Sequence, residues 1–427
     1  MAFILDNARA KVIIVGQEFV GHIEAIEDQL AAGTIVVVVD GGHDRWTSYA
    51  EFVDAQPASD PHADVAPDDV AFLIFTSGTT GLPKGAMMTQ RGFFAAFSAL
   101  DQWRLDENSV PLAMMPMFHF AGSGWSLLSL GVGCTTVLLR DVDPKLILDA
   151  IERFGVTNIV MPPAVIQFLL ATPEVETTDF SSLRAILYGG SPITETVLER
   201  ATKFFDCEFL QLYGLTETAG GVAQLDGVDH DPVNRPHLMR SCGKPYPWVE
   251  LRIVDATTGE DVPNGTVGEI WVRAPQNMPG YWRNPEATAE TITPDGWLRT
   301  GDAAVQDEDG YLYLRDRVND MIVSGAENIY PAEVENALMR DPSIADVAVI
   351  GVPDDRWGEA VKAIVVKAPG HSATPEEIIE SARQHIAGYK LPKSVDFTEE
   401  LPRNASGKVL RRVLREPYWA GRSRAIS

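Results

Sequence analysis

A chain of 427 residues is long enough for two or more domains, and 45% hydrophobic residues is ample for large cores. The formal charge of −25 at pH 7 argues against nucleic acid as a partner, because that affinity depends on neutralising phosphates with Lys and Arg. Three cysteines, Cys134, Cys207 and Cys242, are odd in number, widely spaced and without a paired metal pattern, so they read as reduced, buried small hydrophobes of a cytoplasmic protein.

The first stretch, MAFILDNARAKVIIVGQEFV, has no basic region ahead of its apolar residues and is interrupted by Asp6, Arg9 and Lys11, so it resembles neither a secretory signal nor an anchor. Strand-like runs follow at VIIV (12–15), TIVVVVD (34–40), CTTVLL (134–139), TNIVM (157–161) and RAILYGG (184–190), with helix-length amphipathic stretches between several of them. Strands alternating with helices imply a mostly parallel α/β sheet with ligands at the carboxyl ends of its strands. The uncharged segment from Trp125 to Leu139 is shorter than the roughly 20 residues a spanning helix needs. Split by Gly131 and Gly133, it reads as a helix followed by a buried strand, which leaves peripheral contact as the only membrane role open.

After about residue 240 the pattern changes. WVELRIVD, GEIWVRA and GYLYLRD alternate apolar and polar residues between Gly, Asp and Pro turns, as in an antiparallel sheet or small barrel. The last hundred or so residues read as a third unit. It holds strands DVAVIGV and AVKAIVV and a helix opening with Thr374 as N-cap, Pro375 at its first position and Glu377 closing a capping box. The DGVDHD cluster (226–231) has metal-ligating residue types but reads as a solvated acidic loop.

One stretch stands out chemically: FTSGTTGLPKGA, residues 75–86, offers the hydroxyls of Thr76, Ser77, Thr79 and Thr80, flexible Gly78 and Gly81, and the ammonium of Lys84. Placed between the apolar, buried strand expected at Val70–Phe75 and a helix-like pattern starting near Ala95, such a loop is suited to phosphate. It is not a P-loop, since counting from Gly78 the second glycine position holds Pro83 and Lys84 is followed by Gly85.

Five further stretches follow in order: LYGGSPI (187–193), QLYGLTET (211–218), GWLRTGD (296–302), DRVNDMIVSGAENIYPAEVE (316–335) and LPRNASGKVLRR (401–412). With the first loop they resemble the adenylate-forming superfamily of acyl-CoA synthetases, nonribosomal adenylation domains and luciferases, and most nearly the bacterial fatty-acyl-CoA and aryl-CoA synthetases. The resemblance runs over essentially the whole chain. It implies a large α/β domain of parallel sheets plus a small antiparallel barrel-like part, residues 1–316, and a small mobile α+β domain, residues 317–427.

The implied chemistry joins a carboxylic acid to AMP at the expense of ATP and then passes the acyl group to CoA. Two anions are forced together in the first step, which needs cations and oriented dipoles where charge accumulates. By resemblance, Thr76, Ser77, Gly78, Thr79, Thr80, Gly81 and Lys84 surround the β- and γ-phosphates, Thr216 meets the α-phosphate, and Glu217 holds Mg²⁺. Tyr213, beside Gln211 and Gly214, stacks on adenine. The Gly189, Gly190 and Ser191 backbone edges the base, and Asp302 and Arg317 take the ribose. Lys408 bridges the carboxylate and the α-phosphate, which places the site between domains. Asn319 matches the hinge, where most relatives carry Asp or Lys, and Ser324 and Gly325 match the pantetheine channel, with Ala326 where a second glycine is common. His119, in PMFHFAGSGW, matches a histidine near the acyl carboxylate and thiol entrance, and Trp125 lines an acyl tunnel or fills the core.

Family members carry on the order of a hundred more residues before the phosphate loop, so either the start lies upstream or the large domain is short at its amino end, its exposed strand edges covered by a partner or a second copy in a homodimer. Three readings stay open: a synthetase taking an apolar carboxylic acid, ATP and CoA; an adenylating enzyme serving a carrier protein or other acceptor; and a truncated, non-catalytic nucleotide-binding protein. The SGAENIYP loop and the lack of an attached carrier favour the first.

Overall fold

The computed structural model describes residues 1–76, 82–191, 193, 195–317, 320–324, 327–403 and 409–420. Two units are distinguished, one made of Met1–Ala95 with Gln276–Ile292 and the other of Ala96–Pro275 with Thr293–Ser427.

In the first unit the apolar runs form parallel strands β1 (Val12–Gly16), β2 (Ile35–Val39) and β3 (Thr47–Ser48), paired in that order. Ser48 then caps a short helix, its Oγ accepting from the Glu51 N–H in a capping box. Strand β4 (Val70–Thr76) is followed by β5 (Lys84–Thr89), the two pairing antiparallel from Val70↔Thr89 to Thr76↔Lys84. This corrects the expected strand–loop–helix. The phosphate-suited loop joins two strands of a hairpin, and the helix begins only at Gln90. KGAMMT has one β-branched residue, at its end, and takes strand form from its partner on one side and the chain at Gly280–Trp282 on the other. There the Met87 N–H donates to Gly280 O (3.1 Å) and the Trp282 N–H to Gly85 O (2.8 Å). Nor is β4 a buried strand: Ile74 alone in it is buried, as expected for a two-stranded sheet.

The second unit is built on a seven-stranded sheet. Its members are β6 (Pro111–Ala113), β7 (Val137–Leu138), β8 (Asn158–Met161), β9 (Ala185–Gly189), β10 (Glu208–Leu215), β11 (Gly220–Leu225) and β12 (Lys244–Pro245), in the order β12-β11-β10-β9-β8-β6-β7. Strands β6 to β10 are parallel, while β11 and β12 join antiparallel. Its apolar core includes Leu112, Ile159, Ile186, Ile147 and Ile166, fully buried between strands and flanking helices. The expected helix over the most apolar segment spans Phe120–Val132 and stops at Gly133, whose φ of 86° lets the chain turn. The strand after it is an edge strand and not buried: Leu138 is exposed, because among the described residues only β6 pairs with β7.

Strands β13 (Glu250–Val254), β14 (Gly268–Arg273), β15 (Leu298–Gln306) and β16 (Leu312–Arg317) form an antiparallel sheet in sequential order. The apolar–polar alternation expected of β14 does not translate into alternating burial, since Gly268–Val272 are all buried. The remaining strands, β17 (Ile322–Ser324), β18 (Glu327–Ile329), β19 (Ile344–Asp354), β20 (Gly358–Lys367) and β21 (Ser394–Thr398), make a five-stranded sheet. The helix Pro375–Ala382 packs there with the expected capping box at Thr374 and Glu377. No helix among the described residues is long and apolar enough to cross a membrane.

Candidate active site

The carboxyl ends of the parallel strands gather most of the described candidate residues. After β9 the chain reaches Gly190 (φ 77°) and Ser191; at the end of β10 come Tyr213, Gly214, Thr216 and Glu217; after β6 comes the loop to His119. Gly189 admits no side chain, because a Cβ there would lie 2.3 Å from Leu212 O of the neighbouring strand. The same holds for Gly214, where a Cβ would lie 2.0 Å from Gly220 O. Backbone at the carboxyl edge of the sheet is thus bare, because the neighbouring strand leaves no room for a side chain at either position.

The Thr216–Thr218 turn is held from beneath by a residue the sequence reading passed over. Thr218, fully buried, accepts the Leu215 N–H (2.9 Å) and lies 2.8 Å from Gly220 O and 3.1 Å from Leu215 O, to which its hydroxyl can donate. Thr216 and Glu217 are half-buried on this turn. Among the described residues no group of three or more His, Cys, Asp or Glu could hold a metal. A divalent cation at Glu217 would therefore take one carboxylate and complete its shell from phosphate and water, which is how Mg²⁺ is ordinarily held.

His119 stands at the start of the helix Phe120–Val132 and caps it. Its Nδ1 accepts the Ala121 N–H (3.2 Å), so the neutral ring carries its proton on Nε2. Burial pushes its pKa below the usual imidazole value, favouring that neutral form. The loop is kept close by Gly122, where a Cβ would lie 2.3 Å from both Met115 O and Pro116 O. Phe120 brings the helix start against the first residue of β11: its ring would be 2.9 Å from a Cβ on Gly220. Trp125 is buried and donates its indole N–H to Leu112 O (3.1 Å), a core contact.

The four-stranded sheet reaches the same place through Tyr213, whose hydroxyl donates to Asp302 Oδ2 (3.0 Å). In the ladder Asp302 stands opposite Arg317. Burial raises the Tyr213 phenol well above its usual pKa, so it stays a donor. Gln211 Oε1 lies 3.5 Å from the Tyr188 hydroxyl, which is 2.9 Å from His230 Nε2. Here the reading of DGVDHD as a solvated loop is corrected. His230 Nδ1–H donates to Asp226 O (2.9 Å), Asp229 is buried against Arg235 and Tyr311, and Asp226 pairs with Arg104 (3.0 Å). Arg104 and Tyr311 lie far away in sequence, and they turn an acidic loop into a structural junction.

In the first unit Thr76 and Lys84 face each other as the last pair of the hairpin, the Lys84 ammonium 5.4 Å from the Tyr281 ring centroid. Ser324 ends β17 opposite Glu327. Ser77, Gly78, Thr79, Thr80, Gly81, Asn319, Gly325, Ala326 and Lys408 lie outside the described residues.

A family profile described as AMP-binding enzyme matches residues 1–282, and one described as AMP-binding enzyme C-terminal domain matches residues 333–408. The fatty acid–[acyl-carrier-protein] ligase ScoC of Streptomyces coeruleorubidus is 38% identical over 434 residues, covering 100% of this chain and 81% of that protein. A feruloyl-CoA synthase of an Amycolatopsis species is 40% identical over 421 residues, 97% of this chain and 80% of that one. Among solved structures, ATP-bound MatB from Rhodopseudomonas palustris superposes with a TM-score of 0.87 at 30% identity, over 98% of this chain and 81% of that one.

Proposed function

The chain belongs to the AMP-binding enzyme family, within the adenylate-forming superfamily of acyl-CoA synthetases, and from that membership we propose that it activates an apolar carboxylic acid as acyl-AMP and transfers the acyl group to CoA. In the first step a carboxylate oxygen attacks the α-phosphorus of ATP and the α–β anhydride bond breaks, releasing pyrophosphate. In the second the CoA sulfur attacks the acyl carbonyl, the thiol proton leaves, and AMP departs.

The observation that carries this reading is the convergence at the carboxyl edge of the seven-stranded sheet. Bare glycine backbone, the Thr216–Glu217 turn, a neutral imidazole and, through Tyr213, the Asp302 carboxylate meet there. We assign base recognition to Gly189, Gly190, Ser191, Gln211, Tyr213 and Gly214, ribose recognition to Asp302 and Arg317, and the α-phosphate to Thr216. Mg²⁺ at Glu217, when bound, neutralises phosphate charge as the carboxylate approaches. The loop Thr76–Lys84 supplies hydroxyl, amide and ammonium donors to the outer phosphates, and Lys408 supplies the charge between carboxylate and α-phosphate. His119, with its proton on Nε2, serves as a hydrogen-bond donor to the acyl oxygens and not as a base. We place the boundary of a mobile terminal domain at residues 316/317, with the hinge at Asn319 and the pantetheine path at Ser324 and Gly325.

An apolar acid fits the exposed Met117 and Phe118, which stand immediately before His119 on the same loop. A second reading, transfer to a carrier protein, is favoured by the name of the ScoC relative. The two are separated by supplying acyl-AMP and following AMP release with CoA or with a phosphopantetheinylated carrier protein. CoA-dependent release is expected; release with the carrier alone would establish the second reading and end the first.

A further inference from the structure

The segment that presents Asp302 departs from the regular ladder on its β14 side. Between the pairs Glu269↔Ala303 and Trp271↔Arg299, strand β14 has the single residue Ile270, while β15 has three, Thr300, Gly301 and Asp302. These three form a bulge, and a bulge leaves backbone N–H groups without ladder partners. Side chains take the N–H groups of Gly301 and Asp302. The Gly301 N–H donates to Glu269 Oε1 (3.0 Å), and the Asp302 N–H donates to Thr300 Oγ1 (3.1 Å), whose hydroxyl in turn donates to Ile270 O (2.8 Å).

Glu269 is the unusual member of this set. It is a carboxylate only 8% exposed, and its other oxygen, Oε2, accepts the Trp271 indole N–H (2.9 Å). A buried carboxylate is costly unless its oxygens are bonded. Here one oxygen is committed to an indole and the other to a single backbone amide next to Asp302. Gly301 has φ of 69°, a conformation that side-chained residues rarely adopt, and a Cβ built there would meet nothing within 4 Å. The Glu269 bond therefore fixes a left-handed residue that neighbouring atoms do not wedge in place. Asp302 is then held at three points, by Glu269 through the Gly301 amide, by Thr300 at its own amide and by Tyr213 at its carboxylate.

We propose that Glu269 is a positioning residue for nucleotide recognition: by gripping the Gly301 amide it aims the Asp302 carboxylate at the ribose hydroxyls. This rests on the ribose role given to Asp302 above. Removing the grip would leave the rest of the nucleotide's contacts intact, so the loss would fall on ribose hydroxyl recognition and not on binding as a whole.

The test is equilibrium binding of ATP and of 2′,3′-dideoxy-ATP to the full chain by calorimetry. Wild type is expected to prefer ATP by about tenfold, the value of one charge-assisted hydrogen bond. Glu269→Gln has one oxygen for two donors, and its preference is expected to fall below about twofold with dideoxy-ATP affinity unchanged. Adding Trp271→Phe removes the competing indole N–H, frees the amide oxygen for Gly301 and is expected to restore a preference. Equal weakening of both nucleotides in Glu269→Gln, or an undiminished preference, would overturn the proposal. Absence of any preference in wild type would overturn it together with the ribose role of Asp302, whereas its presence with an unaffected variant would remove Glu269 alone. If the Gln variant does not fold, Glu269→Asp, too short to reach both donors, reads the same ratio. Hydrogen exchange on wild type gives an independent check: the Gly301 amide is expected to be protected although it lies off the ladder, and fast exchange there would overturn the proposal.

Discussion

The seven-stranded sheet and the five-stranded terminal sheet both pack on buried apolar clusters, yet they fix the segments that bear the assigned chemistry by different means. At the first, the turns are held by neutral hydrogen bonds between buried hydroxyls and backbone, as in Thr218 to Leu215 and Gly220. At the second, the residues flanking 318–319 and 404–408 are held by charge. Arg411 and Arg415 pair with Asp320 at 3.5 and 3.0 Å, and Arg411 pairs with Glu335 at 2.8 Å, with all four side chains 16–17% exposed. This ties the start of the terminal sheet to the helix that follows Lys408. Neutral local bonds are indifferent to salt, whereas half-buried ion pairs can be weakened by it, so the two regions are expected to respond differently to ionic strength.

Four measurements break or sharpen that contrast, the largest effect first. Lys408→Ala is expected to slow acyl-AMP formation by about 10²–10³-fold, as for loss of one charge-stabilising group, with thioester formation from supplied acyl-AMP little changed. Equal loss in both half-reactions would remove Lys408 from the first step. Thr218→Val leaves a backbone amide and a carbonyl unpaired in a buried turn, and thermal unfolding should show a loss of about 2 kcal/mol that does not change between low and high salt.

Glu335→Gln leaves Arg411 with Asp320 as its remaining carboxylate in this cluster. It is expected to destabilise by about 1–2 kcal/mol at low ionic strength and by less at high salt, with hydrogen exchange rising first in β19, whose Val349 N–H donates to Glu335 (2.7 Å). A salt-independent loss would mean that the cluster acts through shape alone.

The smallest effect is in pH. Burial lowers the His230 pKa below the ordinary imidazole value of about 6.5. An unfolded chain therefore takes up this proton first as pH falls. The contribution of neutral His230 is whole above about pH 6.5 and is lost as pH drops through the folded value. Denaturant titrations from pH 8 to 5 should show that decline, and His230→Gln should flatten it.

Much of this was legible in the sequence, and what was not shares a cause. Runs such as TNIVM and RAILYGG need only their own composition to be strands, and Thr374, Pro375 and Glu377 need only each other to start a helix. The hydroxyls, glycines and lysine between Thr76 and Lys84 suggested phosphate chemistry by themselves, whereas the roles of the residues at the ends of β9 and β10 came only with the family resemblance. What failed depended on distant partners. KGAMMT became a strand through β4 and the chain near Tyr281. Leu138 is exposed because nothing pairs beyond β7 among the described residues. His230 is buried because Tyr188 reaches it, and Glu269 acts through Gly301, 32 residues on. GEIWVRA did carry a signal for Glu269, a glutamate opening a strand rich in apolar residues.

Acid-dependent exchange of labelled pyrophosphate into ATP tests adenylation most directly, since it needs neither CoA nor a carrier. With a panel of fatty and aryl acids, exchange is expected to require an apolar acid, to proceed without CoA and to disappear in Lys408→Ala. A protein that binds ATP but exchanges no pyrophosphate with any acid would contradict the assignment and leave a nucleotide-binding chain without the first half of its chemistry.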